Sequence, residues 1–126
     1  MIRGIRGATT VRDNDSEEII DHSYNLIKEM IDANDVKAED VVSVLFSATP
    51  DLNQAFPAKS LRKLKGWTFV PVMCMQEIDV PDSLGKCIRV MMTVQTKAGQ
   101  EEIEHIYHHE ARKLRPDLKV LGGEKA

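Results

Sequence analysis

Only two cysteines occur in this chain, Cys74 and Cys87, and neither belongs to a Cys-x-x-Cys spacing. Two cysteines cannot build a disulfide framework, so reduced thiols are expected. Basic residues are not in excess either: 17 Lys and Arg stand against 20 Asp and Glu, a net charge of −3. That balance argues against a protein that grips nucleic acid by neutralising phosphates, and any functional arginine must act locally. Nowhere do ~18 consecutive apolar residues appear that would span a bilayer, and the start, "MIRGIRG", lacks the apolar run of a signal peptide. The expectation is a soluble, cytoplasmic protein with no nucleic-acid and no membrane partner. Repeats, low-complexity tracts and linkers are missing as well, and "RGIRG" has neither the GxGxxG nor the GxxxxGK spacing of a phosphate-cradling loop.

What is present fits one domain. A chain of 126 residues, 42% of them hydrophobic, buries roughly two thirds of the surface its unfolded form exposes. Residues 2 to 11 read as a first strand, with Arg6 on the face of Ile2, Gly4 and Ala8 and Arg3 on the other. The run from Asp13 to Asp35 predicts the long helix, with Asp15 or Ser16 as N-cap and Ile19, Ile20, Leu26, Ile27, Met30 and Ile31 at helical spacing. "VVSVLFSA", 41 to 48, reads as a buried strand. Pro57 and Gly66 bracket a short basic helix. "WTFVPVMCMQEIDV" is strand-like in two pieces, and Pro71 suggests an edge or a bulge. In "KCIRVMMTVQT" Ile88, Val90, Met92 and Val94 share an apolar face, leaving Arg89 on the opposite one. Around "QEEIEHIYHHEARKL" the local spacing favours a helix, and "DLKVLGGEKA" after it has the composition of a mobile tail. The expected class is α+β or α/β, a mixed sheet of about five strands packed by one long and one short helix.

Several residues offer chemistry, each beside a plainer reading. Arg6 and Arg89 lie on separate expected strands, and a buried guanidinium is costly unless a carboxylate or phosphate faces it. Either alone fits an internal ion pair, whereas two on small or polar faces suit an anionic ligand. Arg62, on the short basic helix with Lys59, would close over the same anion or simply form a solvated face. Glu77, set among apolar residues, serves as base, hydrogen-bond acceptor or arginine partner. Tyr107 either donates its hydroxyl to a substrate or is an ordinary boundary tyrosine. His105, His108 and His109 invite a metal reading, yet no HExxH is present and no third ligand is identifiable, so surface or partner-contacting histidines and no metal are expected. Cys74 as a nucleophile lacks a recognisable histidine base.

Taken together and in order, "IRGIRGATTV", "LFSATPDLNQAFPAK", "GWTFVPVMCMQEIDV", "KCIRVMMTVQT" and "LRPDL" resemble the small monofunctional chorismate mutases of the trimeric, pseudo α/β barrel type. The resemblance covers residues 1–118 and leaves 119–126 as a flexible tail. It implies an isomerase that rearranges chorismate to prephenate on the route to phenylalanine and tyrosine, with no cofactor, metal or covalent nucleophile. It also implies a homotrimer with active sites between subunits. By residue-for-residue carry-over, Arg6 meets a substrate carboxylate, and Arg89 the ether oxygen and a neighbouring carboxylate. Glu77 accepts from the ring hydroxyl and holds Arg89, Tyr107 donates to a carboxylate, and Cys74 contacts the hydroxyl region. Phe56, Lys59, Arg62 and Leu114 complete the rim and apolar wall.

The resemblance makes the segment near Tyr107 a strand, against the local spacing, and that strand is adopted because tertiary context overrides propensity. Cys74 and Glu77 fall on opposite faces of one ideal strand, so both meet a ligand only through a bulge or a backbone contact. Two other readings share the arginines. One is a non-catalytic trimer that binds a carboxylate metabolite; the other is a different small trimeric enzyme acting on imino or keto acids.

Overall fold

Asp15 starts the long helix. Its backbone is extended, and its Oδ2 accepts the Glu18 N–H at 2.9 Å, satisfying one of the donors a helix start leaves unpaired. The helix, α1, runs Ser16–Asn34. Glu18 in turn reaches back to accept the N–H of Arg12 at 2.6 Å and of Asp13 at 3.1 Å. These bonds, the one from Arg12 first, hold its carboxyl below the usual glutamate range. The helix ends at Asp35, left-handed at φ 50°, a conformation that aspartate tolerates better than most residues.

The computed structural model describes residues 1–114. The domain end expected at 118 and the tail expected over 119–126 lie outside the described residues. Five strands follow the order expected from the sequence: β1 (Ile2–Thr10), β2 (Val41–Ala48), β3 (Val72–Gln76), β4 (Cys87–Gln95) and β5 (Ile106–Tyr107). They form one mixed sheet in the order β3-β2-β4-β1-β5. The central β4 is antiparallel to β1 and β2, while the outer β3 and β5 run parallel to their neighbours. Pro71 therefore sits just before an edge strand, where a missing donor is tolerated.

Alternation sorts the strands into two faces. Ile5, Val44, Phe46, Ile88, Val90, Met92 and Val94 are all buried and pack with Ile19, Leu26, Ile27 and Met30 of α1. Gly7 lies on this face, and a Cβ there would come within 2.5 Å of Met30 Sδ and 3.1 Å of Leu26 Cδ1. The second glycine of "RGIRG" thus serves close helix–sheet approach and not a phosphate. The opposite face carries Arg6, Ala8, Leu45, Ser47, Met73, Met75, Arg89, Met91 and Tyr107; the 3-10 segment His109–Leu114 packs on its β1 end, where Ala8 is buried, while Leu45, Met73, Met75 and Met91 stay exposed.

Three local expectations are corrected. The short basic helix is a 3-10 segment, Pro57–Lys63, with proline in its first turn and its end at Leu64; Gly66, at φ 87°, belongs to the turn that follows. Only the middle of "WTFVPVMCMQEIDV", Val72–Gln76, is a strand, because Val70 N bonds back to Trp67 O in a turn ahead of it and the residues from Glu77 to Val80 are irregular. The helix that local spacing favours over 100–114 is absent. Two 3-10 segments, Gln100–Glu102 and His109–Leu114, flank β5 instead, because Gly7 and Ala8 offer strand partners to Ile106 and Tyr107. No helix among the described residues is long and apolar enough to cross a membrane.

Candidate active site

The register of four strands assembles the arginines. Ala8 pairs with Arg89 across β1–β4, Ser47 pairs with Arg89 across β2–β4, and Ala8 pairs with Tyr107 across β1–β5. Paired residues share a face, so Arg6, two positions from Ala8, joins Arg89 and Tyr107 on the open one. A cleft of about 370 Å³ lies over them, lined by Arg6, Arg89, Tyr107, Leu114, Ser47 and Met75 among others. Alanine at position 8 and serine at position 47 leave the room that larger strand residues would fill.

Glu77 stands one residue past β3, where its N–H still bonds to Ala48 O at 2.9 Å and continues the ladder. Its Oε2 lies 3.4 Å from Arg89 Nε and accepts the Ser47 hydroxyl at 3.0 Å. Arg89 keeps about half of its side chain exposed, 52%, against 29% for Glu77. The carboxylate thus holds the guanidinium by one edge, and the rest of the guanidinium stays accessible.

Tyr107 is held from three sides. Asn34, the last residue of α1, clips the chain ahead of β5: its Oδ1 accepts Glu104 N at 2.8 Å and its Nδ2 donates to Glu104 O at 2.9 Å. His105 Nδ1 accepts the Arg6 backbone N–H at 2.9 Å, which fixes that nitrogen as unprotonated. Beyond the strand, His108 N donates to Ala8 O, and its Nε2 lies 2.6 Å from Glu29 Oε1 on α1. His109, at φ 53°, stacks on His22 with ring centroids 4.8 Å apart. Partial desolvation, together with the neighbouring His22, His108 and Arg112, lowers its pKa. Among the described residues no cluster of histidine, cysteine, aspartate or glutamate is arranged to hold a metal.

The remaining candidates gather elsewhere. Phe56, Lys59, Arg62 and Cys74 line a cleft of about 600 Å³ between the 3-10 segment and β3. Phe56, Lys59 and Cys74 also line an adjoining one of about 500 Å³. Cys74 pairs with Phe46 and so points to the covered face, away from Arg89 and Glu77, and no bulge in β3 turns it round. Burial pushes its thiol up, the opposite of what a nucleophile needs. The nine candidates therefore form two groups on either side of the edge strand: Arg6, Glu77, Arg89, Tyr107 and Leu114 in one, Phe56, Lys59, Arg62 and Cys74 in the other. No residue lines both the 370 Å³ and the 600 Å³ clefts. Sequence reading passed over Ser47, Asn34 and the backbone role of His105. For Ser47 a signal existed: a serine breaks the apolar run "VVSVLFSA" at the parity opposite Phe46.

The family profile "Chorismate mutase type I" matches residues 2–118. The chain is 56% identical over 120 residues to "Chorismate mutase AroH" of Bacillus subtilis (strain 168), covering 95% of this chain and 94% of that protein. It is 40% identical over 120 residues to "Chorismate mutase AroH" of Thermus thermophilus, covering 94% and 98%. The solved structure "Chorismate mutase from Clostridium thermocellum Cth-682" superposes with a TM-score of 0.85 at 48% identity, over 88% of this chain and 98% of that one. With a matching profile along its length, relatives at this identity and the same five-stranded fold, the chain belongs to the type I chorismate mutase family.

Proposed function

We propose that the chain is a chorismate mutase, an isomerase that rearranges chorismate to prephenate, and that the open-face cleft is the greater part of its active site. The observation that carries the reading is Arg89 held edge-on by Glu77 in a cleft shared with Arg6 and Tyr107. Chorismate carries two carboxylates, an enol ether and a ring hydroxyl. Its rearrangement breaks one C–O bond as a C–C bond forms, with no proton or electron transferred, so positioning and charge placement are all a protein can contribute. Arg89 supplies positive charge at the ether oxygen as negative charge develops there. A preorganised donor of this kind is the largest single catalytic effect available without covalent chemistry. Arg6 and Tyr107 bind the carboxylates, and Glu77 accepts from the ring hydroxyl. Holding the substrate folded in a chair-like shape supplies the entropic share.

Leu114 walls this cleft, while Phe56, Lys59, Arg62 and Cys74 complete the site from a second copy. The division of the candidates into two groups, and an uncovered face bearing Leu45, Met73, Met75 and Met91 at 37 to 63% exposure, support a homotrimer with sites between subunits. Two cysteines outside any disulfide agree with residence in the cytoplasm. Family membership favours this reading over a non-catalytic carboxylate binder or an enzyme of imino or keto acids.

The test is a continuous ultraviolet assay with chorismate and no added metal or cofactor, the product being converted by acid to phenylpyruvate. Prephenate formation is expected. Calorimetric binding of chorismate without conversion would select the binding module instead.

A further inference from the structure

We infer that Ser47 is a positioning residue for the reaction, acting through Glu77 to keep the Arg89 guanidinium free for substrate. The inference rests on the proposed mutase activity and on hydrogen bonding that the strand register dictates. Ser47 lies on the open face, paired with Met75 of β3 on one side and Arg89 of β4 on the other. Its hydroxyl donates to Glu77 Oε2 at 3.0 Å, the same oxygen that lies 3.4 Å from Arg89 Nε. The other oxygen, Oε1, accepts the N–H of Ile78 at 3.3 Å. Oε2 is thereby shared between Ser47 and Arg89, while Oε1 keeps a lone pair for the substrate's ring hydroxyl.

This matters because Glu77 has lost strand support on one side. From Ile78 to Lys86 the chain has no regular secondary structure, and Ile78 and Val80 are exposed at 78% and 53%. A glutamate at such a boundary, released from Ser47, would turn to form a two-pronged pair with Arg89, the arrangement that arginine and carboxylate favour. That pair would occupy the guanidinium N–H groups needed by the ether oxygen and carboxylate. A hydroxyl is the fitting restraint. It satisfies a carboxylate lone pair without adding charge, and the serine side chain is short enough to leave the cleft open.

Substitution separates this from a packing role. In Ser47→Ala, kcat is expected to fall about tenfold, about 1.4 kcal/mol, with KM rising less and the thermal midpoint little changed. Ser47→Thr, which keeps the hydroxyl on a residue suited to strands, should return most of the rate. In a Glu77→Ala background, Ser47→Ala should cost nothing further, because the restraint has lost its object. An unchanged kcat in Ser47→Ala would overturn the inference, and so would a tenfold loss repeated in the Glu77→Ala background. Wild-type turnover of chorismate is measured in the same series: its absence would remove the mutase reading itself, whereas its presence with additive losses would remove only the role given to Ser47.

Discussion

The two faces of the sheet come from the same alternating strands and are built to opposite ends. On the covered face every β4 position from Ile88 to Val94 by twos is aliphatic or methionine and almost wholly buried under α1. On the open face the same strand presents Arg89 and Met91, with Ser47, Ala8 and Arg6 as neighbours from β1 and β2. Stability resides in the first face, where close packing against the helix returns the most free energy per residue. Function resides in the second, where small side chains make room and charged ones are held by a few specific bonds. Water alone would suit an arginine on the second face; it is the exposed Leu45, Met73, Met75 and Met91 beside it that call for cover, and the proposed assembly supplies it.

Substitutions on one face should leave the other intact. The largest expected effect is on the open face: Arg89→Ala should lower kcat by roughly a thousandfold or more, about 4 kcal/mol or greater, with circular dichroism and thermal midpoint near wild type. Arg89→Lys should also suffer, because an ammonium cannot reproduce a planar fork. Near-native turnover in either would break the electrostatic account. On the covered face, Met92→Ala should destabilise by about 2–5 kcal/mol in denaturant unfolding, and its kcat, measured on the fraction still folded, should stay close to wild type. Gly7→Ala sharpens the comparison further. Met30 and Leu26 must move to admit the new Cβ, so a loss of roughly 1–3 kcal/mol is expected. A stabilised variant would show that α1 does not rest on β1 as closely as described.

The smallest expected effect is in pH. Glu18 and His109 both have lowered pKa values, Glu18 mainly from the Arg12 backbone N–H and His109 mainly from partial desolvation. In each case the unfolded chain takes up protons first as the pH falls, so stability is full above the ordinary pKa and is lost as pH drops toward the depressed one. Melting curves should decline gently below about pH 6.5 through His109 and again below about pH 4.3 through Glu18. His109→Gln should flatten the first decline. An equally steep decline in that variant would assign it to another group.

How much could be read beforehand differs between elements. The apolar spacing of α1, a cap at Asp15 or Ser16 and the alternation of β4 were legible because each is decided by neighbours in sequence, and the structure places the cap at Asp15. Arg89 was placed correctly on the face opposite Met92 by parity alone. The segment around Tyr107 misled the local reading, since Ile103, Ile106, Tyr107 and Ala111 fit a helical stripe, yet Ile106 and Tyr107 pair with Gly7 and Ala8 about a hundred positions earlier. No short-range signal carries that pairing. The parity conflict between Cys74 and Glu77 was visible in the sequence, and the fold resolves it by sending Cys74 to the covered side and placing Glu77 just past the strand.

By itself, the sequence determined the periodicities: which residues face which way along each strand and helix, where α1 begins, that Arg6 has the small Gly4 and Ala8 beside it, and that Arg89 stands opposite the aliphatic face of its strand. The tertiary structure alone decided which strands are neighbours, and with them that Ser47, Glu77 and Arg89 meet and that Cys74 does not. The physical reason is range. Side-chain direction follows from backbone geometry within a few residues, whereas strand order and the bonds across it depend on contacts that only the packed core can select.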